Sequence, residues 1–141
     1  MSEMRKLILS FLAILIGWAT GFIYFVVYMT FFTSWGRPTD VEAILFWTAI
    51  FISIAWILVV LPFVFLVPVS SRFLSLPVAT FIGAVAGLVA FLLLVGWWTG
   101  FWTERLYLGY ALVVGAATGL AYSSFLHFRR RATASESEGA A

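Results

Sequence analysis

The chain has 141 residues, of which 64% are apolar and 10% charged, with 15 Phe, 7 Trp and no Cys. Mean hydropathy is +1.10. Water-soluble domains carry about 25% charged residues, so this composition excludes one, together with a disordered chain, a disulfide scaffold and a nucleic-acid module. The net charge of +2 comes from basic residues at the edges of apolar blocks, which reads as membrane topology. With no cysteine, thiol catalysis and Cys-ligated zinc or iron–sulfur centres are excluded.

Four apolar blocks follow one another at 7–32, 41–67, 77–98 and 106–128. Each reaches the ~20 residues of a transmembrane helix. Among Asp, Glu, Lys and Arg, only Glu42 falls inside them. The first block holds fifteen Val, Ile, Leu or Phe residues. At ~0.3–0.6 kcal/mol each, these favour insertion by several kcal/mol. Lipid offers no partner to backbone N–H and C=O groups, so the blocks must be helices. The alternating polarity of a barrel strand is absent. A signal-peptide core is only ~7–15 residues long, so the first block is expected to be a retained span.

The connections are short. Trp35, Gly36, Arg37 and Pro38 give the first a turn composition, and Thr39 with Glu42 has the spacing of a capping box that starts the second helix near Asp40. Pro62 is expected to kink that helix. In the second turn, Ser75 is the expected N-cap before Pro77. In the third, Thr103 is the expected N-cap, and Glu104 suits the helix dipole. The sequence thus predicts a single all-α integral membrane domain over 1–131, with four antiparallel transmembrane helices. The small, polar residues 132–141 are expected to form a disordered tail.

Lys and Arg set the orientation. With four spans both ends share one side, which holds Arg5, Lys6, Arg72, Arg129, Arg130 and Arg131, six of the eight basic residues. The positive-inside rule then places both termini in the cytoplasm. Compact loops and this bias suit a bacterial inner membrane.

Small residues recur at four-residue spacing. The first span has Ala13, Gly17 and Gly21, the third Ala79, Gly83 and Gly87, and the fourth Ala111, Gly115, Gly119 and Ser123. Each set lies on one helix face and admits a neighbouring backbone. Gly17, Gly21, Gly83, Gly87, Gly115 and Gly119 are therefore the expected packing residues, whether the partner is within the chain or in another subunit. Residues 17–24 and 115–122 also agree at five of eight positions. Thr20 with Tyr24, and Thr118 with Tyr122, form the candidate polar path. A duplicated helix pair would relate the first span to the third, so shared packing explains the match better than a substrate site. Membrane hydroxyls such as Thr20, Thr48, Ser53, Thr80 and Thr118 commonly bond the carbonyl four residues earlier.

Trp97, Trp98 and Trp102 make an aromatic cluster that fits a headgroup belt or a surface for partner docking. His127 is the only histidine and reads as an interfacial side chain, because a lone His builds no multi-His metal site. No ionisable residue occupies a span centre, which removes a carboxylate proton relay. No P-loop, nucleophile elbow, zinc-protease or dinucleotide fingerprint is present. The expectation is a non-enzymatic membrane protein, with no cofactor and no metal, acting by helix association. Its partners would be the lipid bilayer and other membrane subunits or a second copy, with no nucleic acid. The alternative is a small channel or carrier for an uncharged or hydrophobic solute.

Overall fold

The structure, a computed structural model, describes residues 2–32, 41–68, 72–100 and 104–139. Every regular element among these is helical, and four helices are long and apolar enough to cross a membrane. They are α1 (Glu3–Phe32), α2 (Val41–Leu66), α3 (Leu76–Gly96) and α4 (Arg105–Gly139). The capping-box residue Thr39 and the expected N-cap Thr103 lie outside the described residues, as does Trp102.

α4 is the centre of the bundle, packed along both α1 and α3. Its contact with α3 runs through glycine. A Cβ on Gly83 would strike the Gly115 carbonyl, one on Gly87 the Ala111 carbonyl, and one on Gly119 the Ala79 carbonyl. The two backbones touch directly, so any side chain there would force them apart. α1 meets the other side of α4: a Cβ on Gly17 would lie 2.7 Å from the Val114 carbonyl, and one on Gly21 2.9 Å from the Tyr110 ring. Both are closer than side-chain carbons come. The α3 and α4 stripes visible in the sequence thus face one another within this chain, and the α1 stripe faces Tyr110, Val114 and Thr118 on the other side of α4.

α2 is held differently. At one end Val64 joins Ala13 of α1, Leu74 of the following turn, and Tyr122 and Leu126 of α4 in a buried cluster. Along its length two indole hydrogen bonds tie it to α1. Trp18 Nε1 donates to Thr48 Oγ1 at 3.0 Å, and Trp56 Nε1 donates to the fully buried Ser10 hydroxyl at 3.1 Å.

Pro62 has a visible consequence. α2 widens into a π turn over Trp56–Val60 before resuming α geometry at Leu61–Leu66. A wider turn accommodates a ring that cannot donate to the preceding turn and would clash with it. α3 carries a second π turn, Leu92–Gly96, with no proline; nothing in the sequence explains it. α3 starts at Ser75 and Pro77 as expected, although the Ser75 hydroxyl makes no capping bond. The helical turn Trp97–Thr99 that follows it ends at Gly100, whose φ of 72° is the left-handed geometry that suits glycine.

α4 continues to Gly139, well beyond residue 131. The expectation of an unfolded tail from 132 is corrected there: residues 132–139 are helical. Residues 132–135 are exposed, so local preference accounts for the extension. Ala132 and Ala134 are strong helix formers. The Thr133 and Ser135 hydroxyls donate to the Arg130 and Ala132 carbonyls at 3.0 and 2.8 Å.

Candidate functional site

The helices do not fill the space between them. Beyond the cluster around Val64 and Tyr122, α2 and α3 stand apart, and a cavity of about 560 Å³ opens between them. All four helices line it. Phe22 and Phe25 of α1 form one side, Phe51 and Ala55 of α2 another, and Ala86 and Phe91 of α3 a third. The glycine face of α4 forms the floor, with Gly115 and Gly119.

The cavity is apolar, and no charged side chain among the described residues lines it. Its threonine hydroxyls are already committed. Thr48, Thr99 and Thr118 donate to the carbonyls of Ile44, Val95 and Val114 at 2.7, 2.8 and 2.7 Å. Tyr110 differs. Its hydroxyl is buried and makes no hydrogen bond of adequate geometry among the described residues. It lies beside Thr48, whose hydroxyl donates to Ile44 and accepts from Trp18 with one acceptor position still open. A buried hydroxyl without a partner costs ~1–3 kcal/mol, so this atom is the natural contact for a polar group brought in by a ligand.

The four residues of the expected polar path do not converge. Thr118 and Tyr122 line the cavity, whereas Thr20 and Tyr24 do not. Thr20 donates to the Ile16 carbonyl at 2.8 Å, and the Tyr24 hydroxyl occupies the space beside Gly109. Ser53 and Thr80 likewise donate to carbonyls four residues earlier. The glycines Gly17, Gly21, Gly83, Gly87, Gly115 and Gly119 sit at helix contacts, and four of them, Gly83, Gly87, Gly115 and Gly119, also border the cavity's α3–α4 floor. Trp97 is 85% exposed, and the Trp98 side chain lies outside the described set. Tyr110 and the two indole bonds escaped the sequence reading, because their meaning depends on which helices meet.

No group of three or more His, Cys, Asp or Glu residues suited to a metal occurs among the described residues. His127 is exposed. Comparison with protein-family models, with curated proteins and with solved structures gives no match.

Proposed function

We propose that this chain is a non-enzymatic membrane protein that holds an uncharged, hydrophobic solute within its helical bundle. The observation that carries this reading is the 560 Å³ cavity, apolar and lined by all four helices. Its volume lies in the range of sites that enclose small molecules. Absence of charge along the walls disfavours an ionic ligand, since an unpaired buried charge is costly. The helices alternate in direction across the membrane: pairing of Ala79 with Gly119, Gly83 with Gly115, and Gly87 with Ala111 supports this. Both ends lie on the cytoplasmic side of a bacterial inner membrane, as the basic residues suggest.

Action by association, as an accessory subunit or a homo-oligomer, is the second reading. Its support is the sparse burial of α2, only 6% of its spanning stretch. The glycine faces lend it less, because they meet one another inside the chain.

The test uses a brominated long-chain alcohol as probe and intrinsic tryptophan fluorescence, to which Trp47 at the cavity wall contributes, as the readout. The wild-type protein in phosphatidylcholine vesicles is expected to show saturable quenching. Ala86→Leu places three more carbons in the cavity and should weaken the saturable component about tenfold, the value of one or two buried methylenes. Equal quenching in both proteins would overturn the binding reading. A stoichiometric protein partner on gentle extraction would establish the association reading in its place.

A further inference from the structure

A second pocket, of about 270 Å³, lies away from the cavity, where the start of α1 meets the late part of α4. Its lining combines two chemistries. Ile8, Leu9, Phe125 and Phe128 supply a surface that is almost wholly hydrocarbon, and Arg5 and Arg129 border it. The arginines come from different helices, separated by more than a hundred residues of sequence, and the fold brings them to one concavity. The neighbouring cation is engaged elsewhere: Lys6 pairs with Glu3 at 3.2 Å and lies 5.8 Å from the centroid of the Phe65 ring. Among the described residues, neither Arg5 nor Arg129 forms an ion pair.

Two arginines bordering one pocket bring like charges onto neighbouring helix ends, which is unfavourable until an anion joins them. Guanidinium binds phosphate oxygens in a planar, two-pronged geometry. The pocket lies at the end of two membrane-spanning helices, where lipid headgroups meet their acyl chains. We infer that Arg5 and Arg129 hold the phosphate of an anionic phospholipid, with its acyl chain lying against Ile8, Leu9, Phe125 and Phe128. An inorganic phosphate ion would use only the arginines and leave the hydrocarbon surface without a role. Basic pockets between helices at a membrane edge are a recurrent form of lipid headgroup recognition. This inference is independent of the solute cavity.

The full chain, extracted gently and examined by native mass spectrometry, tests it. Phosphatidylglycerol and phosphatidylcholine are offered in equal amounts, and retained lipid is counted. Wild type should retain phosphatidylglycerol preferentially, and rising salt should erode that preference. Each arginine near an anionic headgroup is worth about fivefold, so R5Q/R129Q should lose most of the preference, while R5K/R129K should restore part of it. R105Q removes a cation at the far end of α4 and should leave the preference intact. Undiminished preference in R5Q/R129Q would overturn the assignment. So would a wild-type preference insensitive to salt, a measurement that needs no variant to fold. Displacement of the lipid by millimolar inorganic phosphate would overturn the role of the hydrocarbon surface.

Discussion

α2 and α4 both qualify as membrane spans, but the protein treats them differently. In the spanning stretch of α4, 39% of residues are buried; in that of α2, 6% are. α2 contains no glycine, while α4 presents Gly109, Gly115 and Gly119. In water the more apolar helix would seek the core. In lipid the surroundings are as apolar as the interior, so apolarity inserts a helix without packing it. Packing there depends on how closely backbones approach, and small residues decide that. α4 therefore draws α1 and α3 against itself, and α2 is left as a wall joined at one end and along α1. The cavity follows from that inequality: it lies on the side where the glycine contacts stop.

The largest effect should come from breaking the close-packed side. Gly115 faces the Gly83 carbonyl and Gly87 Cα. Gly115→Ile adds a branched side chain where no Cβ fits, and overpacking of this kind costs about 3 kcal/mol. The thermal midpoint of the purified protein should fall sharply, and helix packing should loosen. Gly139→Ala is the control, because a Cβ there meets nothing within 4 Å. Equal midpoints for the two variants would show that the glycine seam does not hold α4.

Ser123 supplies the next effect. It is 1% exposed and donates to the Leu74 carbonyl. This bond fastens the turn between α2 and α3 to α4. Ser123→Ala leaves a buried carbonyl unpaired, at about 1 kcal/mol. Denaturation midpoints measure the loss; an unchanged midpoint would mean that the turn is held by packing alone.

Tyr110 sharpens the comparison from the loose side, and with the opposite sign. Its buried hydroxyl lacks a partner among the described residues, so Tyr110→Phe removes a desolvated polar atom without opening space. The empty protein should gain up to about 1 kcal/mol. The same variant should bind the brominated alcohol several-fold more weakly. Lower stability of Y110F would show that the hydroxyl already has a good partner, and the cavity would then lack its polar contact.

The spans were legible because length and apolarity are properties of the chain alone. Their ends fall within a few residues of expectation except in α4, whose exposed continuation reflects local preference over hydropathy. The stripes containing Gly83 and Gly115 were also legible, since spacing places them on one face. Their mutual contact was not, because spacing does not say which faces meet. Thr20 and Thr118 look equivalent in sequence, yet only Thr118 is buried; its helix is central and α1 is peripheral. The cavity belongs to no single residue, so no motif could announce it. Trp18 and Trp56 fit any description of a membrane aromatic until Thr48 and Ser10 are found opposite them.

Those two indoles give the smallest effect and the most direct probe of α2. Trp18→Phe removes the donor to Thr48 while keeping an aromatic ring. Hydrogen bonds between membrane helices average about 0.6 kcal/mol, so global stability should barely move. Residues 41–55 should respond more than the whole, because little else in that half of α2 is buried. Their amide exchange should rise while exchange in α4 stays constant. Adding Trp56→Phe removes the bond to Ser10, close to the buried cluster at Val64, and should extend the faster exchange through the π turn at Trp56–Val60. If exchange in α4 rose equally, α2 would be as firmly built into the bundle as α4, and the distinction between a packed seam and a loosely held wall would fail.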